Sequence, residues 1–83
     1  MEREEIERRV INVICHVLNV EPDMVTLESD FVFDLGAESR QSIELIAAFE
    51  AEFDIDMDED DALEVQTVGG AVDFIGRYVP AGA

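Results

Sequence analysis

The stretch Asp34-Leu35-Gly36-Ala37-Glu38-Ser39-Arg40-Gln41-Ser42-Ile43-Glu44-Leu45-Ile46-Ala47-Ala48-Phe49-Glu50-Ala51-Glu52-Phe53 decides the fold. It leaves a turn at Gly36 and enters a run with helical period. At about 100° per residue, Ser42, Ile46, Phe49 and Phe53 gather within about 60° of one direction, predicted to face a core. Arg40, Ile43, Glu44, Ala47, Glu50 and Ala51 fall on another flank, predicted to lie largely in solvent. A flank mixing apolar and acidic side chains suits a docking surface, and the same pattern also marks an ordinary border between buried and wet faces. The spacing predicts a helix from near Ser39 to Phe53.

On the N-terminal side, Ile6, Val10, Val13, Ile14, Val17 and Leu18 recur at helical spacing between Glu2 and Leu18. Arg8, Arg9 and Asn12 lie away from the centre of that stripe. Early glutamates suit the positive end of the helix, and the pattern stops near Asn19, just before Pro22. Residues 19–38 show no sustained period, but Val25, Leu27, Phe31, Phe33 and Leu35 keep them partly apolar. Such a loop is expected to lie on the core, with a short helical turn near Asp23 to Leu27. Beyond Phe53, residues 54–64 are densely acidic and predict a short third helix around Ala62 and Leu63. Thr67 is the expected N-cap of a last helix with the stripe Val68, Ala71, Val72, Ile75 and Val79. Gly69 and Gly70 weaken its first turn by about 1 kcal/mol each relative to alanine, and Pro80 and Gly82 are expected to end it. The fold class is therefore all-α: a small bundle of three main helices plus a short helix in third position. With 83 residues, the chain 1–83 is expected to be one domain.

Charge narrows the function. There are 21 acidic residues against five basic ones, for a net charge of −16, and all five bases are arginines. A chain without a basic patch has nothing with which to release counterions from nucleic acid or to hold an anionic membrane. Proteins with basic surfaces are its natural partners, met by salt-sensitive steering, although high charge also serves solubility. The single cysteine, Cys15, rules out an internal disulfide and a cysteine metal cluster. No apolar run is long enough to span a bilayer, and the first residues do not resemble a secretory signal. A cytoplasmic monomer is expected.

Ser39 is the residue where chemistry can sit. Its hydroxyl is expected to be exposed where the chain meets the helix. A phosphodiester built there would face the unpaired N–H groups of the first turn and the positive end of the helix dipole. A serine at that place is, on its own, more often an ordinary N-cap.

The run Asp34-Leu35-Gly36-Ala37-Glu38-Ser39, followed by Ser42-Ile43-Glu44-Leu45, resembles the attachment motif of acyl carrier proteins. The likeness continues through Glu50-Ala51-Glu52-Phe53-Asp54, the acidic third-helix region and Thr67-Val68 with Ala71-Val72-Asp73-Phe74-Ile75, so it covers about residues 6–79. The resemblance implies that a phosphopantetheinyl transferase attaches 4'-phosphopantetheine from coenzyme A to Ser39. The thiol of the arm, not Cys15, would then hold acyl groups as thioesters. It implies a carrier and not an enzyme, delivering acyl groups to synthases, transferases and reductases of fatty acid or related lipid synthesis. Glu38, Glu44 and Glu50 map onto acidic positions presented to basic partners, with Ile43 and Ala47 as apolar neighbours. Two departures stand out: Glu38 replaces the usual aspartate, and Arg40 replaces the usual leucine after the serine. Arg40 puts a cation on the docking flank, within reach of Glu44 at i+4, and suggests a specialised enzyme set. A carrier for polyketide or lipid A acyl groups remains open, as does an acidic helical protein-binding module without a cofactor.

Other candidate sites are weaker. Asp54-Ile55-Asp56-Met57-Asp58 alternates carboxylates as a calcium loop does, but Glu59 stands where glycine is needed and Val65 takes the final bidentate position. No metal site is expected. Cys15 and His16 are consecutive on a helix and point about 100° apart with no third orienting group, so no catalytic pair is expected.

Overall fold

The computed structural model describes residues 1–79. Four α-helices follow in order: α1 (Arg3–Leu18), α2 (Ser39–Phe53), α3 (Glu59–Leu63) and α4 (Val68–Gly76), with a 3-10 turn at Pro22–Met24. The described residues contain no strand, only an isolated bridge between Asp30 and Thr67. This is the all-α bundle expected, with α1, α2 and α4 as the main helices.

The chain forms these helices for local reasons. Glu4 and Glu5 sit in the first turn of α1, where the helix dipole favours carboxylates. Asn19 ends α1 in the left-handed region at φ 56°, with its N–H donated to the Cys15 carbonyl; Asp54 ends α2 in the same way at φ 54°. Asn and Asp tolerate that conformation better than other non-glycine residues. Asp58 Oδ1 accepts from the Asp61 N–H at 3.0 Å, and Thr67 Oγ1 from the Gly70 N–H at 3.1 Å, so both short helices are capped.

Packing then joins α1 to α2 and α4. Ile6, Val10 and Ile14 are the buried stripe of α1, and they meet Val68, Val72 and Ile75 of α4 at the most buried part of the core. On α2 the buried residues are Leu45, Phe49 and Phe53. The burial is therefore displaced from the expected arc, since Ser42 and Ile46 are only half-buried. All four of Ser42, Leu45, Ile46 and Phe49 line a cavity beside α2, Leu45 and Phe49 from its buried side.

The short acidic helix, Glu59–Leu63, contains Ala62 and Leu63 as expected. Two boundaries differ from expectation. The helical turn after α1 lies at Pro22–Met24, earlier than Asp23 to Leu27. The last helix stops at Gly76, and Val79, expected on its stripe, is buried beyond its end with its N–H on the Ile75 carbonyl. The expected stop at Pro80 and Gly82 lies outside the described residues.

The long loop does lie on the core, anchored by Val25, Phe31 and Ala37. It is also stitched to the α3–α4 connection. Phe31 N–H donates to the Gln66 carbonyl at 3.0 Å, Val68 N–H to Ser29 at 3.0 Å and Gly69 N–H to Leu27 at 2.8 Å. A Cβ on Gly69 would stand 2.9 Å from the Leu27 carbonyl oxygen. The helix-weakening glycine is thus required by the approach of the loop.

Arg9 closes the α1–α2 seam. Its Nε meets Glu52 Oε2 at 2.6 Å, its Nη2 donates to the Glu52 carbonyl at 2.7 Å, and the guanidinium lies 5.0 Å from the Phe53 ring centroid. That carbonyl belongs to the last turn of α2, which lacks intrahelical donors. With the side chain only 28% exposed, Arg9→Ala is expected to cost about 1–3 kcal/mol. Urea denaturation would read this as a lower midpoint. Arg9→Lys should recover only part of it, since an ammonium cannot hold both contacts in a planar fork.

Candidate functional site at the start of α2

Gly36 turns the chain at φ +71°, a conformation that favours glycine. The turn lets Ala37 bury while Glu38 comes out extended, at φ −90° and ψ 166°, as the N-cap of α2. Gln41 Oε1 accepts from the Glu38 N–H at 3.0 Å, which braces the entry. Ser39 is then the first helical residue and not the cap, contrary to the commoner role of serine at a helix start. It is exposed, and its hydroxyl takes part in none of the hydrogen bonds among the described residues. The N–H groups of Ser39 and Arg40 have no backbone acceptor, as expected for a first turn.

These features fit a phosphodiester. The hydroxyl is accessible and uncommitted, the neighbouring amides and dipole favour an anion, and Glu38 and Gln41 hold the turn without it. Ser42, one turn along on the same face, has its hydroxyl 3.4 Å from the Glu38 carbonyl and lines the cavity.

That cavity has a volume of about 340 Å³ and lies between α2, the loop and α4. Its inner wall is apolar, with Leu45, Phe49, Met57, Ala71 and Ile75 among the lining residues. Val32, Phe33 and Leu63 also line it and are exposed, marking the side where it meets solvent. An apolar pocket of this size suits a flexible hydrocarbon. Its lining is not legible in the apolar period, which does not distinguish a side chain packed in a core from one lining a void.

Of the remaining predicted site residues, Glu38, Arg40, Ile43, Glu44 and Ala47 are exposed on or beside one flank of α2. Arg40 Nε lies 3.8 Å from Glu44 Oε1, a long surface pair. Glu50 is different. It is half-buried, and its Oε2 accepts from the Met57 N–H at 2.8 Å, so it braces the α2–α3 connection instead of facing solvent freely. Phe33, read as part of the loop's apolar filling, is exposed near the same end, as is Val32.

Cys15 is half-buried, and burial, with a smaller contribution from Glu21, holds its thiol pKa above the ordinary value. A thiol so disposed is a poor nucleophile. Among the described residues no group of three or more His, Cys, Asp or Glu is placed to hold a metal ion. No described helix is long and apolar enough to cross a membrane.

Known proteins share this pattern. Residues 8–75 match the family described as phosphopantetheine attachment site. An acyl carrier protein of Porphyromonas gingivalis is 45% identical over 73 residues, covering 88% of this chain and 94% of that protein. One from Caulobacter vibrioides is 45% identical over 71 residues, 86% of this chain and 91% of its own length. One from Phenylobacterium zucineum is 44% identical over 77 residues, 93% and 98%. Helical bundle, family match and relatives agree, and the chain belongs to the acyl carrier protein family of phosphopantetheine-attachment domains.

Proposed function

We propose that Ser39 carries 4'-phosphopantetheine, taken from coenzyme A by a phosphopantetheinyl transferase, and that the whole chain is one carrier domain. Its role is to hold acyl groups and deliver them to enzymes of fatty acid or related lipid synthesis, without catalysing a reaction itself. The observation that carries this is an exposed, uncommitted hydroxyl at the first position of α2, one turn from an apolar cavity.

When bound, the arm supplies the thiol on which an acyl group is held as a thioester. The protein's own residues do the rest. Gly36, Glu38 and Gln41 fix where Ser39 projects, so that the tether starts from a defined point. The first-turn amides of α2 offset the charge of the phosphodiester. Leu45, Phe49 and Met57 offer the cavity wall to a chain folded back from the arm, and each methylene buried there contributes about 0.8 kcal/mol. Glu38 and Glu44 present negative charge to basic enzyme surfaces, which speeds encounter and makes it salt-sensitive.

The test is mass spectrometry after incubation with coenzyme A and a broad-specificity transferase. The protein should gain one phosphopantetheine, and peptide mapping should place it on Ser39. An unchanged mass, or a group on another side chain, overturns the proposal.

A further inference from the structure

The turn that follows Phe31 displays side chains where a loop of this kind would be expected to hide them. Phe31 is buried at 7% exposure, whereas Phe33 is 89% exposed and Val32 is exposed beside it. The turn is densely hydrogen-bonded. Asp30 Oδ1 accepts from the N–H groups of Val32 and Phe33, each at 2.9 Å. Asp34 Oδ2 accepts from the Asp30 N–H at 2.7 Å. Asp34 and Leu35 donate back to the Asp30 carbonyl, Gly36 to Val32 and Ala37 to Phe31, while Phe31 itself donates to Gln66 across the fold. Every amide N–H from Asp30 to Ala37 thus has an acceptor. An exposed aromatic ring on so fully bonded a turn costs little ordering on binding, which is what a docking anchor requires.

Phe33 also stands at the working end of the molecule. It lines the mouth of the cavity that Ser42 lines from α2, one turn from Ser39. Any enzyme that acts on a group tethered there must cover this region. The surrounding charge is mostly negative, with Asp34, Glu38 and Glu44 exposed. Arg40 is the only cation of α2 and is 82% exposed, with only the 3.8 Å contact to Glu44. So loose and wet a pair is worth little and leaves the guanidinium available. Arg3 and Arg9, by contrast, hold carboxylates at 2.6 Å, those of Asp73 and Glu52.

We propose that Phe33 and Arg40 form the specificity element of this carrier, docking on acyl-processing enzymes whose basic docking face contains an apolar socket for the Phe33 ring and a carboxylate opposite Arg40. The inference rests on Ser39 being the tether point, since that is what brings enzymes to this end. A uniformly basic partner face would leave Arg40 repelled and unpaired. A face with one carboxylate turns the same cation into a bidentate contact and rejects carriers that lack it.

The sign of a charge reversal tests this. The wild type, Phe33→Glu, Phe33→Leu, Arg40→Leu and Arg40→Glu are each loaded with coenzyme A by a broad-specificity transferase. The acyl forms are then assayed with every condensing enzyme and acyltransferase of the same genome that accepts the wild type. Phe33→Glu is expected to raise KM about tenfold or more with kcat kept, and Phe33→Leu to recover most of it. Arg40→Glu is expected to raise KM by severalfold, although it makes the carrier more attractive to a basic surface, and Arg40→Leu to raise it less. Melting temperatures should stay with the wild type, because both side chains are exposed. A KM lowered or unchanged by Arg40→Glu, or unchanged by Phe33→Glu, with all of these enzymes overturns the proposal while full loading leaves Ser39 as the tether. Sedimentation showing that Phe33→Glu splits a dimer would assign the patch to a second copy of the chain instead. A wild type that is not loaded on Ser39 removes both.

Discussion

Ser39→Ala is expected to abolish phosphopantetheine loading completely while leaving the fold intact. The loss is total because the proposed bond to the arm is made through that hydroxyl oxygen, and no other hydroxyl occupies the same position. Ser42 is the nearest alternative by sequence, one turn further along, but its hydroxyl lies against the Glu38 carbonyl and it is half-buried. Ser42→Ala is therefore expected to load normally. The fold should not suffer, because Ser39 is exposed, makes no side-chain hydrogen bond among the described residues and is not the cap of α2. Alanine is the better helix former, so a slightly raised melting temperature is the expected side effect. Intact mass after transferase treatment, together with thermal melts of both variants, checks this. Loading that survives Ser39→Ala and is lost in Ser42→Ala would relocate the site.

The second large effect is on stability. Ile14 is 0% exposed, and it sits where α1 meets α4. Ile14→Ala is expected to cost about 2–5 kcal/mol, the lost transfer energy plus that of the cavity left behind. For a domain of 83 residues the whole stability is about 4–12 kcal/mol, so the variant loses a large share of it. A net charge of −16 adds self-repulsion in the compact state, which salt screens. The variant is therefore expected to be largely unfolded at low ionic strength and to regain helical circular dichroism as salt is added. Ile14→Val should cost only about 0.5–1.5 kcal/mol. Urea titrations at two salt concentrations measure both. A loss below about 1 kcal/mol for the alanine variant would mean that the α1–α4 seam relaxes to fill the space.

Much of the architecture is legible in local pattern. The stripes of α1 and α4, the Thr67 cap and the span of α2 follow from period and capping chemistry, which depend on near neighbours in the chain. The motif around Ser39 is legible for the same reason, since it is a contiguous turn-into-helix. Other features rest on pairs far apart in sequence. The clamp of Arg9 on Glu52 turns an apparently peripheral arginine into part of a seam. Gly69 looks only unfavourable until the Leu27 carbonyl is seen against it. Glu50, one of three glutamates read alike, is drawn back to the Met57 amide while Glu38 and Glu44 stay in solvent.

The sequence by itself determined that this is an acidic, all-helical domain with a serine and a carrier-like motif at the start of its second helix, because period, caps and a contiguous motif are properties of neighbouring residues. Only the tertiary structure decided that Ser42 and Ile46 border a void, and that Phe33 points outward while Phe31 points in. Those outcomes depend on which segments approach one another across the bundle and how completely they fill the space between them, and no local pattern of apolar and polar residues encodes that.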